Sequence, residues 1–175
     1  MVEQQSVSMN KLFIFDFDDT LVHTNSHVKV KNQNSHQEFM LTPAQYNVYI
    51  PKTGDQFDFS EFNQLIEPKI IQKTFKKFIN LHKMYGGQNL YILTARDQAG
   101  PVYDLLNQFG IDDVDVIAVG AKNPEAKQSW VREQIETNDI NYIEFYDDNE
   151  FNVNSIASLT KEFPHVKIIA KQIKQ

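Results

Sequence analysis

Lys11-Leu12-Phe13-Ile14-Phe15-Asp16-Phe17-Asp18-Asp19-Thr20-Leu21 is an apolar, aromatic run that ends abruptly in acids. A segment so short and so evenly apolar reads as a strand buried on both faces, the kind found inside a helix-covered parallel sheet. Outward from it, strand and helix alternate. Pro68 to Met84 carries Ile71, Phe75, Phe78 and Ile79 at helical spacing and stops at Gly86-Gly87. Its Lys69, Lys73, Lys76 and Lys77 read as the wet face of that helix, and His82 as half-buried packing beside the apolar stripe. Leu90 to Leu93 reads as a strand, Val102 to Phe109 as a helix closed by Gly110, and Val114 to Val119 as a strand. Pro124 to Glu136 (helix), Tyr142 to Tyr146 (strand), Asn152 to Phe163 (helix) and Val166 to Ala170 (strand) complete the series. This alternation predicts an α/β fold: a three-layer, Rossmann-like parallel sheet with right-handed crossovers.

The stretch from His23 to Leu65 interrupts the pattern. His27-Val28-Lys29-Val30-Lys31 alternates as a strand or hairpin does, Thr42-Pro43 marks a helix start, and Asp58 and Ser60 offer further caps. The expected organisation is therefore one domain over 1–175, with its core in 11–22 and 66–175 and a lid insertion over 23–65. The lid follows the first strand and is expected to rise over the carboxyl ends of the sheet. Tyr46, Tyr49, Phe57 and Phe59 read as exposed aromatics, and His23, His27 and His36 as scattered surface histidines.

Length and composition bound the class. A chain of 175 residues fits one domain with a full core, and 41% hydrophobic and 23% charged residues are ordinary for a globular protein. No apolar run approaches the ~18–20 residues that span a bilayer. The opening MVEQQSVSMN has neither the basic start nor the apolar stretch of a signal peptide. A cytoplasmic protein without a membrane partner is expected. The chain has no cysteine, which excludes disulfides, thiolate catalysis and Cys-based zinc sites. A net charge of −6 gives no general attraction to nucleic acid or anionic membranes.

In such sheets the ligand site lies beyond the carboxyl ends of the strands. The residues expected there are polar: Asp16, Asp18, Asp19 and Thr20 after the first strand, and Thr94 and Arg96 after the second. Lys122 and Lys127 follow the third, and Asp147, Asp148 and Asn152 the fourth. Two acid pairs on one rim repel and raise one another's pKa. A hard divalent cation relieves that crowding, and magnesium binds through one or two carboxylates, water and a substrate phosphate. Without cysteine or paired histidines, the donor set does not suit zinc. Either acid pair taken alone also fits a turn or a helix cap.

A metal and a phosphate leave charge to neutralise and a nucleophile to find. Lys127 is the better lysine. Asn123 can cap its helix and Pro124 take the first position, which leaves Lys127 in the first turn, where a cation opposes the helix dipole and needs neighbouring carboxylates. Lys122, on the preceding loop, is the second choice. Thr94 can donate to a phosphoryl oxygen and Arg96 can grip an oxyanion; the plainer alternatives are a turn cap and a solvated charge. With no cysteine and no Ser–His pairing in these loops, an aspartate is the natural covalent nucleophile. A second carboxylate two residues on can act as acid and then as base.

Asp16-Phe17-Asp18-Asp19-Thr20-Leu21 resembles the first motif of the haloacid dehalogenase superfamily. Leu93-Thr94-Ala95-Arg96 is similar to its second motif, Lys127 to its third, and Tyr146-Asp147-Asp148 with Asn152 to its fourth, all in the family's order. The resemblance implies a magnesium-dependent phosphohydrolase, with Asp16 as nucleophile and metal ligand and Asp18 as acid/base, its backbone carbonyl also touching the metal. Thr94 and Lys127 would hold the phosphoryl group, and Asp148 would bind magnesium with Asp147 supporting. The substrate implied is a phosphorylated small molecule. A phosphorylated nucleic-acid end is the alternative, since the fourth motif and Thr94-Ala95-Arg96 also resemble polynucleotide end phosphatases. A catalytically inactive binding domain on the same fold is a further reading, opposed by the intact set of Asp16, Asp18, Lys127 and Asp148. A phospho-receiver switch uses similar groups but sets its accepting aspartate on a middle strand, after the acid pair; the order here is the reverse.

Overall fold

The computed structural model describes residues 10–174. Met1 to Met9, which carry nearly all of the stretch examined for a signal peptide, lie outside them. The chain begins with β1 (Lys11–Phe15), β2 (Val22–His23), β3 (Val28–Asn32), β4 (Glu38–Leu41), α1 (Pro43–Val48) and β5 (Asp55–Asp58). After a short 3₁₀ turn at Ser60–Asn63 come β6 (Lys69–Ile70), α2 (Gln72–Tyr85), β7 (Leu90–Thr94), α3 (Gly100–Gln108) and β8 (Asp115–Ala118). The last part is α4 (Pro124–Asn138), β9 (Tyr142–Asp147), α5 (Glu150–Ala157), α6 (Leu159–Glu162) and β10 (Lys167–Gln172).

β1 is the centre of a five-stranded sheet of order β10-β9-β1-β7-β8, and every pairing in it is parallel. Its alternating side chains explain why it reads as apolar throughout. Phe13 and Phe15 face one way, packing with Phe75 and Phe78 of α2 and Val102, Leu105 and Leu106 of α3. Leu12 and Ile14 face the other, with Val131 and Ile135 of α4 and Val153 and Ile156 of α5. Each such side chain fully withdrawn from water contributes about 1.5–3 kcal/mol, so the central strand binds both helical layers to the sheet. The fold is thus α/β, a parallel sheet flanked by helices. Chain order runs outward from β1 to β8 and then returns to β9, so the direction of winding reverses between β1 and β9, where a crevice opens at the carboxyl ends.

Most expected elements shift by one or two residues at their ends, and two helices differ more. The helix expected from Pro68 begins at Gln72, because Lys69 and Ile70 pair antiparallel with His23 and Val22 as β6. Glu67 turns the chain at φ 45°, and the Ile71 amide bonds the Leu21 carbonyl, which commits the would-be first turn to the β2–β6 stem. Lys69 therefore belongs to that stem and not to the wet helical face. The helix expected over Asn152 to Phe163 begins two residues earlier and divides at Ser158 into α5 and α6.

The insertion is a small structure in its own right. β3 lies between β4 and β5 in an antiparallel sheet, and Thr42 and Gln45 form a reciprocal capping box at the start of α1. Tyr46, Tyr49 and Phe57, read from sequence as exposed, are half-buried, and Phe59 is 40% exposed. These rings pack edge-on and stacked upon one another, with Tyr46–Phe59 centroids 5.3 Å apart and Tyr46–Phe57 5.7 Å. Among the described residues no helix is long and apolar enough to cross a membrane.

Candidate active site

The last residue of β1 is Phe15, so Asp16 and Asp18 leave the sheet at the crevice, next to Asp147 at the end of β9. The Asp16 amide bonds the Tyr146 carbonyl at 2.8 Å, continuing the β1–β9 ladder one residue past β1. The chain then turns sharply. The Leu21 amide reaches the Phe17 carbonyl and the Asp19 amide the Val22 carbonyl, with Asp19 at φ 61°, a left-handed conformation that Asp tolerates.

Lys127 lies at the heart of the acids. Asn123 caps α4 by accepting from the Glu125 amide, and Pro124 takes the first helical position, as expected. The Lys127 side chain is 2% exposed, and its Nζ donates to Asp16 Oδ1 at 2.8 Å and to Asp147 Oδ2 at 2.7 Å. Burial alone would lower its pKa; the charges of Asp147 and Asp16 overcome that and hold it above the usual lysine value. Lys122 lines the same cavity as these acids without pairing with them. Its Nζ donates to the Tyr46 and Tyr49 carbonyls at 2.8 and 2.9 Å and stands 4.2 Å from the Tyr46 ring centroid, tying the insertion to the loop after β8.

Asp147 is held by several donors. Besides Lys127, it accepts from the Asn149 amide at 2.8 Å and from Asn152 Nδ2 at 3.0 Å. Burial, and then the charge of Asp16, push its carboxyl up to about 6. Asp148 has no cation against it among the described residues. Its nearest donor is Thr20 Oγ1 at 3.4 Å, and that hydroxyl gives its proton to Asp16 Oδ2 at 2.9 Å. Burial, followed by the charges of Asp16 and Asp147, pushes Asp148 up to about 9. Asp16, Asp147 and Asp148 each offer a carboxylate oxygen within 4.8 Å of the others. An all-oxygen donor set of this spacing, with one member unneutralised, fits a hard divalent cation.

Thr94 is buried at the end of β7, where its Oγ1 accepts the Arg96 amide at 3.2 Å and its hydroxyl proton remains to donate. Arg96, expected to grip an oxyanion, meets Asp18 instead. Nε donates to Asp18 Oδ2 at 2.8 Å and Nη2 to Oδ1 at 2.9 Å, while Nη1 donates to the Phe62 carbonyl at 2.9 Å. Burial raises the Asp18 pKa, and Arg96 pulls against it.

These groups surround a cavity of about 160 Å³. Asp16, Asp18, Thr94, Arg96, Lys127, Asp147 and Asp148 line it, with Lys122 and Asn152, whereas Asp19 and Thr20, also expected at this rim, do not. Its apolar wall is the insertion, through Val28, Pro43, Tyr46, Phe59 and Phe62. The three histidines of that stretch do not line it; His23 Nδ1 pairs with Asp19 at 2.7 Å and His27 with Glu61. Sequence reasoning gave no role to Thr20, whose hydroxyl cross-links Asp16 to the Asp148 amide, or to Asn149. Thr20 lies four residues after Asp16, a spacing that brings side chains together in a helical turn and was a usable signal. Phe62 had none.

Comparison with family models, curated proteins and solved structures gives no match. The chemistry must follow from the site itself.

Proposed function

We propose that this protein is a magnesium-dependent phosphohydrolase of the haloacid dehalogenase type, on a Rossmann-like sheet, acting on a phosphomonoester through an aspartyl phosphate at Asp16. The observation that carries the proposal is the bridging of Asp16 and Asp147 by the buried Lys127 amine, beside an Asp148 carboxylate that has no cation against it among the described residues. A structural ion pair that already holds two acids has no use for a third. A site for a phosphate dianion and a divalent metal does.

In the chemistry proposed, an Asp16 oxygen attacks phosphorus as the bond to the leaving oxygen breaks, and the Asp18 carboxyl gives that oxygen its proton. Water then attacks phosphorus, the Asp16–phosphorus bond breaks, and Asp18 takes the water's proton. Phosphate leaves and both carboxyls are restored. Lys127, with one N–H beyond its two carboxylate contacts, and the Thr94 hydroxyl hold phosphoryl oxygens. Magnesium held by Asp16 and Asp148, with Asp147 supporting, would neutralise the phosphoryl oxygens and orient them. A phosphorylated small molecule is the proposed substrate, because the cavity is compact and walled by the insertion.

Hydrolysis of p-nitrophenyl phosphate tests this. Turnover is expected with magnesium, to be lost with EDTA and regained when magnesium is restored. Full activity in a chelated sample, or none under any condition, would contradict the proposal.

A further inference from the structure

Arg96 faces the cavity, yet its guanidinium has no edge open for a phosphate. A guanidinium recognises a phosphate or carboxylate through two parallel N–H groups along one edge. Its Nε–Nη2 edge is closed by Asp18, at 2.8 and 2.9 Å. On the other edge, Nη1 donates to the Phe62 carbonyl at 2.9 Å and reaches the Gln64 carbonyl at 3.4 Å. The group also lies 5.5 Å from the Phe17 ring centroid and 5.0 Å from that of Phe62, and its side chain is 2% exposed. Releasing it for a ligand would break a fork-to-fork ion pair and leave a buried charge unpaired, which is strongly unfavourable.

We infer that Arg96 is a positioning residue. It holds the plane of the Asp18 carboxylate fixed for taking a proton from the water that releases phosphate, and it ties that orientation to the seating of residues 62–64, of which Phe62 lines the cavity. This rests on the proposed phosphohydrolase chemistry. A base must present a lone pair within hydrogen-bond reach of the proton it removes, and a short carboxylate free to rotate does so only part of the time. The bidentate fork removes that freedom. It uses one lone pair on each Asp18 oxygen and leaves the other pair on each for water. The Phe62 and Gln64 carbonyls anchor the guanidinium in turn. Since Phe62 also lines the cavity, displacing that segment loosens the arginine and, through it, the base.

The role separates from phosphate binding and from simple structural support by which half-reaction suffers. The experiment is rapid-mixing hydrolysis of p-nitrophenyl phosphate with magnesium by wild type, Arg96→Gln and Arg96→Lys. Lysine keeps the charge but cannot form the fork. With Asp18 loosened, the first p-nitrophenolate departs readily because that leaving group needs little protonation, while release of phosphate from the enzyme slows. Both variants should show a burst approaching one p-nitrophenolate per site, then a steady rate lowered about 10²-fold, within the range for loss of a positioned acid or base. Arg96→Lys separates this from loss of folding, since it retains a cation against Asp18. The double variant Arg96→Gln with Asp18→Asn should be no slower than Asp18→Asn alone, because the two act as one unit. A first turnover slowed as much as the steady state, without a burst, would overturn the inference and return Arg96 to phosphate binding or to structure. A wild-type protein without phosphatase turnover would overturn both the inference and the chemistry beneath it.

Discussion

Asp16 accepts from Lys127 through one oxygen and from Thr20 through the other. An asparagine there keeps one acceptor for the lysine and removes a charge from beside Asp147 and Asp148, so the fold should be retained. An amide is too weak a nucleophile to form the phosphoenzyme. Asp16→Asn should therefore melt near the wild-type temperature and lose on the order of 10³-fold or more in kcat, as expected when a nucleophile is removed. Steady-state kinetics beside a thermal melt checks this, and near-wild-type turnover would remove Asp16 from the covalent role. At this scale the acids were legible because one strand end each delivers Asp16-x-Asp18 and Asp147-Asp148. Lys127 was legible from its conflict with the helix dipole. The partner of Arg96 was not. Asp18 and Arg96 lie 78 residues apart, and the carbonyls that steer the guanidinium belong to a turn with no periodicity. A free arginine after a strand looks the same in sequence whether it will meet a ligand or a carboxylate.

The elements were read most accurately where packing repeats and least where pairing is local. β1, β7 and β9 came from their apolar runs, α3 from its closing Gly110 and α4 from a capped start. The β2–β6 stem was missed because two-residue strands have no period, and its pairing takes Lys69 and Ile70 out of the helix expected from Pro68. That stem has a functional consequence. Ser26 Oγ bonds the Glu61 carbonyl at 3.3 Å and the His27 amide bonds Glu61 Oε2 at 2.6 Å, so the insertion leaves and re-enters the stem at one place. Its own rings and antiparallel sheet stabilise it separately. Replacing residues 27–60 with a short Gly/Ser linker should therefore leave a folded core that still hydrolyses a small aryl phosphate, because Phe62 and Gln64 remain to hold Arg96. Preference among larger phosphate esters should be lost, since that wall of the cavity is gone. The check is relative kcat/KM over a set of phosphate esters. Loss of aryl phosphate turnover in a folded deletion variant would make the insertion part of the catalytic machinery.

For the molecule as a whole, the sheet order brings the ends of β1 and β9 side by side, and the fold stores like charge at that junction. Asp147 and Asp148 are pushed up to about 6 and about 9. An unfolded aspartate has a pKa near 3.9, so between that value and the folded one the native chain holds protons that the unfolded chain has lost. These two groups therefore make the metal-free protein less stable as pH rises, the Asp147 part ending near 6 and the Asp148 part near 9. Magnesium competes with the same protons. The rise in melting temperature on adding it should be larger at pH 9 than at pH 6, and an equal or opposite pattern would mean that no cation binds at these acids. The covalent step admits a more direct test. The protein is mixed with a ³²P-labelled phosphomonoester and magnesium, quenched in acid within the first turnover, and digested. Label should be found on the peptide that carries Asp16, should be released by hydroxylamine as an acyl phosphate is, and should be absent from Asp16→Asn. Turnover of the labelled ester with no label at Asp16, or with label on another residue, would contradict an aspartyl phosphate at that position.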